Sequence, residues 1–356
     1  MKSFYLKLLP FLFFFVAKVH SQDYIEYHQR INRIDQDLLN NELTVAINRF
    51  DSIYTRFDFI FARHCFKALQ ISCEIRDSFH VNLWLEKSLT QGVPLWMIRN
   101  NEITKSSLNY SNTNNTLRSY DSLHNVYLNS IDTALRKQID CLIEIDQVYT
   151  KKVNDGFILT RYTYHAIRWL RNNKKQVEIL KKIIEEKGYP GEKIIGLPLP
   201  MNDSILSINR YYRNGPWLRE THAYIMFIHY YSNRRPDINN MLIEQINKGN
   251  LLPYQFGSFN DFLARWGKRK YNNTYYNVWH KDPNADKDKE NEINYRRYRI
   301  GLNTIKEQDI LETISNELKY QDIKLKITPL STSTLNEKFL NESSFNGISG
   351  FKKCCI

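Results

Sequence analysis

The stretch DFIFARHCFKALQISCEIRDSFHVNLWLEKSLTQGVP, residues 58–94, decides the fold class. Phe61, Cys65, Ala68, Leu69 and the run Ile71–Cys73 recur at three- and four-residue spacing, which gathers them on one helical face. Asp58 stands where its carboxylate could accept the first amide hydrogens of that helix, so it is the expected N-cap. Asp77 and Ser78 interrupt the pattern, and Val81, Trp84, Leu85 and Leu89 resume it in a new phase. Gly92 supplies the residue that tolerates a left-handed helix end, and Pro94 cannot continue a helix. Ala62 and Ala68 are small enough to let a neighbouring helix come close. The stretch reads as a helical hairpin.

The same grammar extends both ways. Upstream, Val45, Ile47, Phe50, Ile53 and Tyr54 form another stripe. Downstream, 109–119 is rich in Ser, Thr and Asn without apolar periodicity and is the expected linker. A long amphipathic helix is expected over Ser122–Val148, carried by Val126, Ile131, Leu135, Ile139, Leu142, Ile143 and Ile145. Another is expected over Asn173–Lys187, with Val177, Leu180, Ile183 and Ile184 on one face and Gly188 as its cap. Gly188–Gly215 reads as a loop with one short helix near Asp203–Tyr211. Thr221–Tyr231 is apolar nearly all round, the mark of a buried helix. Asp237 opens a helix that ends at Gly249, and Pro253 opens one that stops at Gly267. Helices follow over Lys289–Ile300 and Glu307–Tyr320, then a short strand at Ile323–Ile327 and a Ser/Asn-rich tail from Ser331. The expected architecture is all-α: stacked helical hairpins over 22–108, the linker 109–119, a helical domain over 120–322, and a terminal segment over 323–356.

Met1–Ser21 has the three parts of a secretory signal. Lys2 and Lys7 precede the apolar run Leu8–Ala17, and Val19 and Ser21 fit the small-residue rule for cleavage before Gln22. The expectation is a secreted or periplasmic protein with no membrane-spanning segment once the leader is removed. The formal charge of +12 becomes +9 without Lys2, Lys7 and Lys18, which favours an anionic partner or simply a solvated basic surface. Hydrophobic residues make up 42%, enough for a real core, so global disorder is excluded. Cys65 and Cys73 are about 12 Å apart along one helix, beyond disulfide reach. Those two and Cys141 are read as buried small apolar residues, and Cys354 and Cys355 as an exposed, oxidisable pair.

Two resemblances bear on organisation. The alanine-bearing helix around Ala62–Ala68 and WLEKSLTQGV at Trp84–Val93 resemble tetratricopeptide-type repeats over roughly sixty residues, although the diagnostic Trp–Leu–Gly–Tyr spacing is absent. A generic αα-hairpin fits the same pattern. IDQ at Ile145–Gln147, GYPGEKIIG at Gly188–Gly196, HAYIMFIHYY at His222–Tyr231 and INYRRYRIGL at Ile293–Leu302 occur in that order. Together they resemble a domain of unknown function from secreted bacterial proteins, covering about residues 139–302. The resemblance implies export and a domain boundary. It carries no activity with it, and the lack of an Arg between Gln147 and Arg161 departs from its pattern near Asp146.

His222 and His229 lie seven apart, on nearly the same helix face but about 10.5 Å apart in rise. That spacing could line one groove, whereas a shared metal needs three- or four-residue spacing. Asp261 and Arg265 form an i,i+4 pair. Arg296, Arg297 and Arg299, with Lys268–Lys270 and the intervening Tyr271, Tyr275, Tyr276 and Trp279, are the densest basic and aromatic region. Five nearby carboxylates (Asp282, Asp286, Asp288, Glu290 and Glu292) partly cancel it. No nucleophile elbow, P-loop, dinucleotide-binding glycine pattern or zinc-protease motif occurs, and no metal or cofactor is expected.

Two functions remain. The first is a secreted interaction protein whose groove, lined by His222, His229 and Arg297, binds a protein or an anionic ligand such as an acidic glycan or lipid headgroup; nucleic acid fits the exported compartment poorly. The second is a hydrolase pairing His229 with Asp261 or Asp146. A histidine ring nitrogen within about 3 Å of a carboxylate would favour the enzyme.

Overall fold

The side chain of Asp23 accepts the amides of Ile25 and Glu26 at 2.9 and 3.2 Å and so starts helix α1, Tyr24–Leu39. Tyr24, Tyr27, Ile31 and Ile34 recur on its buried face. The computed structural model describes residues 22–108, 111–155, 160–197, 223–231, 238–266, 274–276 and 287–317. The leader, the loop after Leu197, His222, Asp237, the strand expected at Ile323–Ile327 and the terminal Cys354–Cys355 pair all lie outside the described residues. Among the described residues every regular element is a helix.

Helix α2 (Leu43–Arg56) packs on α1 and turns Ala46, Ile47, Phe50 and Ile53 inward. Val45 and Tyr54, expected on that stripe, are each 40% exposed, because the buried line follows residues 46, 50 and 53 and leaves them on its flanks. Helices α3 (Ala62–Glu74) and α4 (Ser78–Thr90) form the hairpin that residues 58–94 predict. Arg76 turns the corner at φ 58°, and the Asp77 side chain caps α4 by accepting from Phe79 and His80. Trp84 of α4 is fully buried, edge-on to Phe50 at 5.5 Å between ring centroids. Burying two such rings accounts for several kcal/mol of the local stability, about 3–5 for each one truncated.

Short helices α5 (Leu95–Asn100) and α6 (Glu102–Ser107) follow, and α6 packs on α3. The stretch read as a linker instead carries helix α7 (Ser111–Arg118), which packs on α4. Its polar residues have partners there: Thr116 donates to Asn82 Oδ1 at 2.6 Å. The long helix expected over 122–148 is broken in two, α8 (Tyr120–Ser130) and α9 (Thr133–Asp155). Ile131 is extended, and Asp132 both donates its amide to Ile194 O at 2.8 Å and caps α9 by accepting from Leu135. Periodicity alone does not detect such a break, because the stripe continues across it.

The second half begins with α9. A π-helical turn at Arg161–His165 leads straight into α10 (Ala166–Lys187), which starts seven residues before the Asn173 expected from sequence. Then come a single turn α11 (Glu192–Ile195), α12 (Ala223–Tyr231), α13 (Asn239–Asn247), α14 (Pro253–Trp266), α15 (Lys287–Arg299) and α16 (Ile305–Glu317). Helices α9, α10 and α12 pack mutually, and α12 also packs on α14. Two apolar cores result, one built on α1–α5 and one on α9, α10 and α12–α14. Cys65 and Cys73 are free and buried in the first, as expected. Cys141 is disulfide-bonded rather than a buried thiol.

The segment Gly188–Gly196 joins the two cores. The amide of Tyr189 donates to Gln245 Oε1 at 2.9 Å, and that of Leu197 to the Tyr127 hydroxyl at 2.8 Å. A side-chain carbon on Gly191 would stand 1.9 Å from the Asn250 carbonyl oxygen, so only glycine allows the two backbones to meet. Glu192 reaches across and accepts the amide hydrogen of Ala62, the first residue of α3. Asp58, the expected cap, instead accepts from the Tyr24 hydroxyl at 2.6 Å and lies 3.8 Å from Lys193. The cap of α3 thus comes from a residue 130 positions away.

Candidate functional site

On α9 the buried line Leu135, Ile139, Leu142 and Ile143 continues to Asp146, a carboxylate with no exposed surface. On α10 the buried line Leu180, Val177, Gln176 and Asn173 runs back towards Trp169. The third wall is α12, where Met226 and Phe227 are buried and His229 follows. Polar groups lock the three helices together. Gln176 Nε2 donates to Leu142 O at 2.6 Å, and Asn173 Nδ2 donates to Met226 O at 3.1 Å. Those two bonds fix α10 against both α9 and α12.

Within that frame His229 Nδ1 lies 3.0 Å from Asp146 Oδ2 and 3.2 Å from Oδ1. The histidine side chain keeps 19% of its surface exposed, while the carboxylate is fully enclosed. Gln147 Nε2 donates to Oδ2 at 3.2 Å, which helps hold the carboxylate in place. An ionised carboxylate is an acceptor only, so Nδ1 carries the hydrogen and the second ring nitrogen, Nε2, lies on the opposite edge. Trp169 meets the His229 ring edge-on at 4.9 Å between centroids. The indole Nε1 is buried without a hydrogen-bond partner, as are Asn172 Nδ2 one turn further along α10 and Gln176 Oε1 beyond it. Buried polar atoms of this kind are uncommon and cost about 1–3 kcal/mol each when unpaired. These three lie on the helix that faces the dyad, and other such atoms are spread through both halves of the protein.

The other sequence candidates are placed differently. Asp261 is 1% exposed and accepts from Thr274 Oγ1 at 2.6 Å and from the Tyr275 amide at 2.7 Å, so it organises the 274–276 turn. The side chain of Arg265 lies outside the described residues. Arg297 is also 1% exposed; it donates to the carbonyl oxygens of Tyr275, Tyr276 and Asn303 and to Gln308 Oε1. It clamps α15 to that turn and to α16, deep in the protein. The basic and aromatic stretch from Lys268 is described only at 274–276, and His222 is not described.

A second cluster of buried titratable groups went unread in the sequence. The Tyr27 hydroxyl meets His64 Nδ1 at 2.7 Å, and Lys67 pairs with Asp35 at 2.7 Å with both side chains nearly enclosed. Burial and the nearby Arg63 guanidinium push the pKa of His28 down to about 3, and burial likewise holds His64 well below its ordinary value. Both rings are therefore neutral. The signal for this cluster was the buried spacing of Tyr24, Tyr27, Ile31 and Ile34, which marks α1 as a core helix. Among the described residues no group of three or more His, Cys, Asp or Glu is arranged to hold a metal ion, and no helix is long and apolar enough to cross a membrane. In comparisons with known proteins, no family, no curated protein and no solved structure matches this chain.

Proposed function

We propose that this chain is an exported helical hydrolase in which His229 is the general base and acid and Asp146 is its orienting carboxylate. One observation carries the reading: a half-buried imidazole whose Nδ1 sits 3.0 Å from a fully enclosed carboxylate contributed by another helix. In such a pair the carboxylate fixes the tautomer and stabilises the imidazolium that forms when Nε2 takes a proton. Water attacking a carbonyl or phosphoryl centre would lose its proton to Nε2, and the same proton would pass to the departing oxygen or nitrogen. The unpartnered Trp169 Nε1–H, on a ring that meets His229 edge-on, supports an electron-rich substrate atom near the imidazole.

The interaction-protein reading keeps one support of its own: α1–α4 pack in consecutive pairs, which supports a run of helical hairpins. Its groove loses Arg297, whose donors are occupied inside the protein. The order of charged, apolar and small residues in Met1–Ser21 supports export, and the four ordered pieces from Ile145 to Leu302 support a secreted bacterial domain of unknown function.

The test is hydrolysis of chromogenic carboxylic esters, amides, phosphoesters and glycosides by wild type, His229→Gln and Asp146→Asn. A substrate cleaved by wild type should be cleaved about a hundred- to ten-thousand-fold more slowly by both variants, with unchanged far-ultraviolet circular dichroism. Equal rates in wild type and His229→Gln, or no cleavage of any class, would overturn it.

A further inference from the structure

The outer face of α10 carries a run of exposed cations beside exposed apolar side chains. Tyr164 in the π-helical turn, then Ile167, Arg168, Arg171, Lys174 and Lys175, fall at intervals of three and four, and all six are exposed. They form one line about 16 Å long. Tyr164 is 53% exposed and Ile167 is 49% exposed. The line carries four cations and no carboxylate until Glu178, which is taken by Lys181. Several cations elsewhere are matched: Arg30 and Arg56 by Glu26, Arg49 by Asp37, Lys187 by Asp132, Lys248 by Glu244. Among the described residues none of the four on this face makes an ion pair. The Arg168 guanidinium lies 5.1 Å from the centre of the Tyr164 ring and donates to its hydroxyl. That contact holds an aromatic ring and a cation together at the surface.

We propose that this face docks on an anionic phospholipid surface, with α10 lying in the plane of the headgroups. Unpaired cations along a helix are attracted to acidic headgroups within a screening length, each adding about fivefold to partitioning. Cations alone would suit any polyanion. An exposed isoleucine and a tyrosine in the same line separate the two cases, because a bilayer offers apolar depth beside its charge and a soluble acidic polymer does not. The inner face of the same helix carries Asn173 and Gln176, which hold α12 and α9, so docking leaves the packing around His229 intact. The proposal is independent of any hydrolytic activity.

The full chain should cosediment with vesicles of phosphatidylcholine doped with phosphatidylglycerol, not with phosphatidylcholine alone, and high salt should release it. Arg168→Glu/Arg171→Glu should lower the partition coefficient by at least about 25-fold. Ile167→Ser should lower it by about tenfold, the worth of burying one aliphatic side chain. All three positions are exposed, so circular dichroism should be unchanged; should the arginine variant not fold, Lys174→Glu/Lys175→Glu tests the same charge. Three results would each overturn the proposal: equal binding to neutral vesicles, no binding to either, or binding indifferent to Ile167→Ser and matched by binding to soluble heparin.

Discussion

Glu192 offers the sharpest test of how the two cores are joined. Its carboxylate is enclosed, 8% exposed, and accepts the first amide of α3. Burial pushes its pKa up to about 7 from an ordinary 4.5, against the opposing pull of Arg63 and of the Ala62 amide. A group whose pKa is higher folded than unfolded stabilises the fold where it is protonated in both states. The contribution is therefore full below about pH 4.5 and is lost as pH rises through about 7. A difference of that size corresponds to about 3 kcal/mol at about 1.4 kcal/mol per unit. Glu192→Gln keeps an oxygen for the Ala62 amide but cannot ionise. Relative to wild type it should be of similar stability at pH 4.5 and up to about 3 kcal/mol more stable at pH 8, or roughly 5 °C in melting temperature for a chain of this size. Glu192→Ala leaves the amide without its acceptor and should lose about 1–3 kcal/mol at both pH values. Thermal melts of the three proteins across that range measure all of this. Parallel pH profiles for wild type and Glu192→Gln would refute the reasoning, and a wild type gaining on Glu192→Gln at high pH would mean that the ionised carboxylate is the form the junction prefers.

Lys67→Met should lose about 3–5 kcal/mol in urea unfolding, because it strands the enclosed Asp35 carboxylate, whereas Asp35→Leu/Lys67→Met should recover most of that loss. Gly191→Ala drives a methyl group into the Asn250 carbonyl, a backbone atom that cannot rotate aside, and should lose about 1–3 kcal/mol or more. For His80, burial opposes the charge, but hydrogen bonds to Asp77 at 2.7 Å and Asp51 at 2.9 Å outweigh it and raise the pKa. Nuclear magnetic resonance titration should place His80 above 6.5, and Asp51→Asn should bring it down; its stabilising contribution is full below pH 6.5 and disappears as pH rises through the raised value.

Much of the helical layout is legible in the chain itself. The hairpin at 58–94 follows from apolar spacing, the break at Asp77–Ser78 and a left-handed Gly92 at φ 85°, all of which act within one or two turns; that Asp77, and not Asp58, supplies a cap does not follow from those signals. Pro253 as the opening residue of α14 is local in the same sense. The failures are local signals answered from afar. The polar stretch 109–119 resembles a linker until Thr116 finds Asn82, and α1 escapes notice because its tyrosines look amphipathic without being placed.

Asp146 shows where sequence stops. The stripe Leu135, Ile139, Leu142 and Ile143 already puts it at a core position, and a lone core carboxylate must find a donor. That the donor is His229, 83 residues on, and that Asp261 spends its acceptors on Thr274 and Tyr275, depends on how α9, α10 and α12 cross. Hydrophobic period and stop residues are properties of neighbouring positions, so the chain alone determines the all-helical class and the buried side of its strongly periodic segments, such as the hairpin at 58–94. Which buried polar group meets which is a property of packing between distant segments, and only the tertiary structure decides it.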